Sequence, residues 1–470
     1  MLAVPRVVTE FARAFTQHGR LCYLVGGAIR DLLLGHRSVD FDIATDALPE
    51  QVHRMFPRVI PTGIKHGTVT VLFQDVRFEV TTFRIDREYL DGRRPGSVEF
   101  TPSIEEDLKR RDFTINAIAF DLIGRTLLDP HDGRGDLHRR IIRAIGDPLA
   151  RFREDGLRPL RACRFAAQLG FTVEPATLAA IPQTLETVRK VSAERIRDEL
   201  IRLLEAPEPS AGFRLMHGSS LLTLLLPELQ AGAGVQQRGR QPGTPARQPG
   251  TPARQPGTPA MHCFDVLEHS LRSCDAASAG NLPVRLAALL HDIGKPGALR
   301  REEDGTLSFH GHEKLSAELS VGLLTRLRFS NQLIHKTRHL VLHHMFNYTG
   351  QWSDAAVRRF IARVGEEHIP DLLALRRADQ VGTCGDSSPS AALAAFSRRL
   401  EQVLAAAGAL TLKDLAVDGR DVMDALRLPP GPHIGVLLGE LLESVLEDPQ
   451  LNRKESLLAI AGRIYEERLR

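Results

Sequence analysis

Aromatic residues make up only 5% of the 470-residue sequence, with one tryptophan and four tyrosines. That scarcity argues against nucleic-acid binding by base stacking on aromatic platforms. Cysteine is also scarce: Cys22, Cys163, Cys263, Cys274 and Cys384 are scattered, and none forms a Cys-x-x-Cys pair. An odd number in a long chain argues against a disulfide framework and points to a reducing cytoplasm. No apolar run is long enough to cross a bilayer, and the N-terminal MLAVPRVVTEF lacks the apolar core of a signal peptide. Charge of one sign is missing in bulk: 61 Lys and Arg face 58 Asp and Glu, a formal net of +3. So small an excess leaves the placement of charge, not its total, to identify a polyanionic partner.

Hydrophobic residues at 43% and charged residues at 25% describe an ordinary globular chain, long enough for two or three domains. Residues 1–125 mix strand and helix patterns. Tyr23–Val25, Val39–Ile43, Val69–Phe73 and Val76–Phe83 read as strands, and Ala28–Leu34 as a helix. From 126 to 235 the pattern turns helical. Within 236–260 the heptapeptide RQPGTPA recurs three times, a density of Pro and Gly that denies helix and sheet and reads as a linker. Residues 261–390 are helical and hold most of the histidines, and 391–470 form a helical tail. The class expected is α+β: a head with a mixed β-sheet, then all-α regions.

Asp40-Phe41-Asp42 lies in a strand-like run, where i and i+2 point to one face. Two carboxylates so close repel unless a cation separates them, and hard divalent cations such as Mg²⁺ choose oxygen pairs. Ten residues upstream, Gly26-Gly27-Ala28-Ile29-Arg30-Asp31 follows a strand and opens a helix. Paired glycines let backbone N–H groups approach a phosphate at a helix N-terminus, and Arg30 adds a charged donor. Glu79, in the strand FEVTTF, supplies a third carboxylate if that strand lies beside the first, and otherwise is an exposed strand residue. Ser103-Ile104-Glu105-Glu106 reads as a capping box for a helix carrying Asp107-Leu108-Lys109-Arg110-Arg111-Asp112. Asp147-Pro148 is a helix start, and that helix is expected to carry Glu154, Asp155, Arg158, Arg161 and Arg164. Asp155 and Arg158 would then be i, i+3 neighbours on one face, while Glu154 and Arg158 make an ordinary i, i+4 pair. Between 132 and 164, nine arginines face five acidic residues, the local positive potential a polyphosphate needs.

In this order and spacing, GGAIRD, DFD and DLKRRDFTINAIA, followed by DPHDGRGDLHRRIIRAIGDP and FREDGLRPLRACRFAAQLGF, resemble the class II CCA-adding enzyme and bacterial poly(A) polymerase family over roughly residues 20–230. The resemblance implies a palm-like nucleotidyltransferase head, then helical neck, body and tail. It implies Asp40 and Asp42 as Mg²⁺ ligands, and Glu79 stays a third catalytic candidate on its strand pattern alone. It implies Gly27, Arg30 and Arg111 against the incoming nucleotide; Gly26 and Asp112, in the same two motifs, are further nucleotide-binding candidates. Asp155 and Arg158 would select the base, with Arg161 and Arg164 beside the nucleotide. The partners implied are tRNA, CTP and ATP.

The base-selecting pair has a physical reading. On their pairing edges cytosine and adenine each present an amino donor beside a ring-nitrogen acceptor, whereas uracil and guanine present a carbonyl and an N–H. A carboxylate only accepts and a guanidinium only donates. One Asp with one Arg therefore fits C or A and leaves groups unpaired against U or G, each mismatch costing about 1–3 kcal/mol. The nearest rival is poly(A) polymerase or an A-adding enzyme. Against it, IKHGTVT at Ile64–Thr70 and REYLDGRRPGSVEF at Arg87–Phe100 look like the CCA-adding branch.

A second constellation lies downstream. His269, then His291-Asp292 within LLHDIGK, then Asp379 is the order of HD-type metal phosphohydrolases. Imidazole and carboxylate together suit a transition metal or Mg²⁺. His310, His312, His343 and His344 lie between, and some of them are candidates to complete the site; His310, His335 and His339 read more simply as packing or surface residues. A third reading follows: an HD phosphohydrolase whose head merely binds RNA.

Overall fold

The computed structural model describes residues 2, 4–36, 41–64, 67–87, 97–237, 263–303, 305–346, 348, 350–384, 391–406 and 410–468. Asp40, Lys65, His66, the loop 88–96 and the RQPGTPA repeats lie outside the described residues. The chain divides into two compact units, residues 1–230 with 323–329 and residues 231–322 with 330–470.

The first unit opens with a helix, Arg6–Gln17, whose Val8, Phe11, Ala12 and Phe15 are buried. The strands of the head are β1 (Tyr23–Val25), β2 (Phe41–Thr45), β3 (Val59–Gly63), β4 (Thr68–Phe73), β5 (Val76–Thr82), β6 (Arg84–Arg87), β7 (Ser97–Phe100), β8 (Ala119–Asp121) and β9 (Leu127–Leu128), and the two-residue strands Ile141–Ile142 and Thr172–Val173 pair beyond it. Seven of them form one sheet in the order β3-β4-β5-β2-β1-β8-β9, and β6 pairs with β7. Only β2 and β5 are parallel in the seven-stranded sheet.

Alternation of side chains makes this sheet two-faced. Phe41, Ile43, Phe78, Val80, Val69 and Val71 are buried. They meet the Arg6–Gln17 helix: Phe11 stacks on Phe78 with ring centroids 3.9 Å apart and on Phe56 at 4.7 Å. Burying each such ring stabilises the head by about 1.5–3 kcal/mol. The intervening residues, Asp42, Glu79, Thr70 and Thr81, face a cavity instead.

The helices that follow carry the rest of the cavity wall. Asp147 caps Pro148–Glu154, its carboxylate accepting the N–H groups of Leu149 and Ala150, with Pro at the first helical position. That helix ends at Glu154, and a second begins at Arg158 and runs to Leu169. One continuous helix through Asp155 is therefore corrected. Asp155 has extended backbone (φ −138°, ψ 109°). A Cβ on Gly156 would stand 2.6 Å from the carbonyl carbon of Thr187 and 2.9 Å from the nitrogen of Val188. Only glycine lets the chain break there against that main chain. The Ser103 cap also differs from the expected box. Ser103 Oγ accepts the Glu106 N–H but donates to Glu105, and the helix stops at Lys109, before Arg111 and Asp112.

Among its described residues, the second unit has helices and a single strand pair, Arg300–Arg301 with Leu307–Ser308. Among the described residues no helix is long and apolar enough to cross a membrane.

Candidate active site and a buried histidine–aspartate cluster

In the head, the parallel pairing of β2 and β5 puts Asp42 in register with Glu79, and β1 sets Val25 beside Asp42 on its other flank. Register partners point to one face, so the two carboxylates share the cavity side of the sheet. The spacing of the sequence left that adjacency open. Gly26, at φ +66°, begins the helix Gly26–Leu33. A Cβ there would lie 3.0 Å from Asp42 Oδ2 and 3.2 Å from Arg111 Nη1. The backbone thus passes against the carboxylate in a space that any side chain would fill.

The cavity measures about 1030 Å³ and is lined by ten arginines and six carboxylates. Every liner belongs to the first unit. An excess of four fixed positive charges in a partly enclosed space suits a polyphosphate. The all-oxygen pair Asp42 and Glu79, with a glycine cradle beside it, fits a hard divalent cation.

The arginines are held in place. Arg30 is buried and donates to Asp31 Oδ1 at 2.8 Å and Asn116 Oδ1 at 3.0 Å. Asn116 donates in turn to Asp112 Oδ1 at 3.1 Å, and Arg161 Nε donates to Asp112 Oδ2 at 2.8 Å. Burial alone would raise the Asp112 pKa; the Arg161 charge and these donated bonds instead hold it well below the usual carboxylate range. Asp112 therefore acts as a fixed anion that orients Arg161. Arg111 reaches Asp107 Oδ2 at 3.3 Å and the carbonyl of Asn116 at 3.5 Å. Arg164 Nε donates to Glu199 Oε2 at 2.5 Å. Phe165 sits amid three guanidiniums: Arg164 lies 3.8 Å, and Arg30 and Arg161 each 5.2 Å, from its ring centroid.

Asp155 and Arg158 both line this cavity but do not pair with each other. Asp155 Oδ1 accepts the Leu157 N–H at 3.0 Å and Oδ2 accepts Arg195 at 2.8 Å. Arg158 Nη1 donates to Glu154 Oε2 at 2.5 Å and to the Arg151 carbonyl at 2.7 Å, and Nη2 donates to the Arg110 carbonyl at 2.9 Å. The ordinary Glu154–Arg158 pair thus forms as well. Arg195, Glu199 and Asn116 went unread in the sequence. The signal for the first two was present: Arg195, Glu199 and Arg202 recur at i, i+4 and i+7, one face of a helix.

In the second unit, His269, His291, Asp292 and Asp379 converge, each buried. His269 Nε2 lies 3.0 Å from His291 Nε2, 3.2 Å from Asp292 Oδ2 and 3.2 Å from Asp379 Oδ1. His291 Nε2 lies 3.3 Å from Asp292 Oδ2. Two overlapping groups have ligand atoms mutually within 4.8 Å: His269, His291, Asp379, and His291, Asp292, His344. His312 Nε2 approaches Asp292 Oδ1 at 3.3 Å in a geometry that makes no hydrogen bond. Of the intervening histidines, His312 and His344 join the cluster. His343 does not: its ring centroid lies 4.6 Å from that of His339, which lies 4.3 Å from His368 in a separate stack. His310 is exposed. Lys295 Nζ donates to Asp292 Oδ2 at 2.7 Å. Burial would lower the His291 pKa, but the Asp292 and Asp379 carboxylates lift it to about 10. Burial, aided by the His291 charge, drives His344 down to about 3. Nitrogen and oxygen donors meeting at one point fit a divalent cation of the first transition series.

The family model described as "Poly A polymerase head domain" matches residues 22–143. The model described as "Probable RNA and SrmB- binding site of polymerase A" matches 170–232, and one for tRNA nucleotidyltransferase domain 2 matches 308–461. The chain is 35% identical to an A-adding tRNA nucleotidyltransferase of Deinococcus radiodurans, covering 90% of each chain. It is equally 35% identical to a CCA-adding enzyme of Levilactobacillus brevis, covering 94% of each. A crystal structure of the Bacillus stearothermophilus CCA-adding enzyme in complex with CTP superposes with a TM-score of 0.73 at 29% identity, covering 99% of this chain and 98% of that one.

Proposed function

The chain belongs to the family of tRNA nucleotidyltransferases and poly(A) polymerases, and on that footing we propose that it adds C and then A to the 3′ end of tRNA from CTP and ATP. One observation carries the reading. A single cavity joins a carboxylate pair on a sheet, a wall of arginines, and an Asp and an Arg presented separately at a helix break.

The division of labour follows from the chemistry of each group. The family implies a divalent metal, and we assign Mg²⁺ to Asp42 with Asp40, and with Glu79 beside them. Such ions, when bound, activate a 3′-hydroxyl and stabilise leaving pyrophosphate. Gly26 and Gly27 let backbone N–H groups approach the phosphates, and Arg30 and Arg111 supply charged donors. Asp155 accepts the amino group of cytosine or adenine, and Arg158 donates to the neighbouring ring nitrogen. Asp112, Arg161 and Arg164 fix the wall behind them.

The reading is tested with tRNA transcripts ending before, within and after CCA, each given the four nucleoside triphosphates singly and in pairs. Incorporation of CMP onto the transcript lacking CCA, then of a single AMP, is the expected result. Addition of AMP alone, or of long A tracts, would overturn it in favour of the A-adding or poly(A) alternative. For the base readers, Asp155→Ala or Arg158→Ala should admit UTP or GTP more than it slows CTP and ATP. A shift of roughly 1–3 kcal/mol in relative kcat/KM is expected. An equal loss for all four nucleotides would mean these residues only hold the wall.

The buried cluster supports a second reading for the other unit: a divalent metal held by His269, His291, Asp292 and Asp379, serving phosphoester hydrolysis. The convergence of four buried ligands is the observation that favours it. A bound ion there would supply a nucleophilic water near neutral pH. Metal analysis of the full chain should find an ion that His291→Ala loses. Phosphomonoester and cyclic phosphodiester turnover under Mg²⁺, Mn²⁺, Co²⁺ and Ni²⁺ should vanish with it, while CCA addition persists. A wild-type chain that holds no metal and turns over neither ester would reduce the cluster to a structural role.

A further inference from the structure

We infer that Arg77 binds the last backbone phosphate of the tRNA acceptor strand and marks the side from which the 3′-hydroxyl enters the cavity. The inference rests on the assignment of Asp42 and Glu79 to nucleotidyl transfer and of the glycine cradle to the triphosphate.

In-line transfer places the attacking and leaving oxygens on opposite sides of the phosphorus. The glycine cradle, with Arg30 and Arg111, lies on the β1 flank of Asp42. Pyrophosphate leaves there, so the 3′-hydroxyl arrives across the other flank, which is β5, β4 and β3 in turn. On β5, Arg77 and Glu79 are both exposed and both line the cavity. Residues i and i+2 share a face, and two inter-strand spacings, roughly 10 Å, separate β5 from β1 with Asp42 on the strand between. The arginines of the β1 flank are tied down: Arg30 to Asp31, Arg111 to Asp107 and Arg161 to Asp112. Of the ten arginines lining the cavity, Arg77 is the one that makes no hydrogen bond or ion pair among the described residues, Glu79 included. Its guanidinium keeps five N–H donors in a fork that matches phosphate oxygens. The remaining described lining of β3, β4 and β5 is uncharged. Thr62 pairs with Thr70 and Thr68 with Thr81, the hydroxyl oxygens 3.1 Å apart in each pair. Each pair uses one O–H and leaves the other to donate. A phosphodiester therefore meets one uncommitted cation and neutral hydroxyls there, while its 3′-hydroxyl reaches toward the carboxylates.

The experiment uses the full chain and tRNA ending in CC, made with either the natural phosphate or an uncharged methylphosphonate before the terminal nucleotide. The Kd of each RNA, the KM for tRNA and for ATP, and melting temperatures are measured for the wild type, Arg77→Ala and Arg77→Lys. Arg77→Ala should raise the tRNA KM by ~10-fold and leave the ATP KM unchanged. The slope of log Kd against log salt should flatten by about 0.7, the share of one phosphate on a single strand. Arg77→Lys should recover part of both. On the methylphosphonate RNA the wild type should lose the same factor, and Arg77→Ala should lose nothing further. The subsite is overturned if the two losses multiply or if the salt slope stays as in the wild type. It is equally overturned if the ATP KM rises in place of the tRNA KM, which would turn Arg77 toward the triphosphate. A wild type that adds no AMP to the natural RNA refutes the transfer reading itself, and the subsite falls with it.

Discussion

Asp42→Ala is expected to lower nucleotide addition by on the order of 10³-fold or more, or roughly 4 kcal/mol of transition-state stabilisation, with tRNA affinity nearly unchanged. The expectation follows from the two-faced sheet. Asp42 points into the cavity while its neighbours Phe41 and Ile43 pack into the core, so the sheet keeps its register when the carboxylate goes. Melting should shift little, as for a residue making no core contact. What is lost is the carboxylate held in register with Glu79 on the cavity face of the sheet. Single-turnover addition to a tRNA ending in CC, with binding measured separately, checks this. A folded variant adding nucleotide at near the wild-type rate would sink the placement of the metal.

The second large effect concerns a residue that touches no substrate. Gly156→Ala would drive a methyl group into the main chain of Thr187 and Val188. Backbone cannot step aside as a flexible side chain can, so the helix break must open. A loss of roughly 1–3 kcal/mol is expected, lowering the melting temperature by several degrees. Selectivity should fall at the same time, because Asp155 and Arg158 flank the displaced residue on either side. Melting curves and kcat/KM for the four nucleotides on one preparation separate the outcomes. Wild-type melting with wild-type selectivity would show that the break does not depend on this packing.

Much of the head was legible because its signals are local. The alternating strands, the Asp147-Pro148 helix start and the Gly26-Gly27 entry each need only neighbours a few residues away. What the residues left open was decided by distant partners. Glu79 joins Asp42 because β5 pairs with β2, bringing together residues 37 positions apart, and no pattern within either strand says so. The helix through Asp155 was misread for the same reason: its spacing is helical, but Gly156 meets a chain segment some thirty residues on. Among the histidines, adjacency misled. His343 and His344 are consecutive at a helix end, yet burial sends one to the cluster and the other to a stack with His339.

Phe165 shows how a chain poor in aromatic residues spends one of them. Its ring faces carry negative quadrupole density, so the three guanidiniums around it share an attractive spacer and need not repel across empty space. The interchangeable alphabet at this position is correspondingly short. Leucine would come near the volume but offer the three guanidiniums no ring face. A tyrosine would keep the ring but bring a hydroxyl that needs its own partner among groups already committed. Replacing Phe165 therefore removes a cation–π contact from three arginines at once, whatever the size of the new side chain.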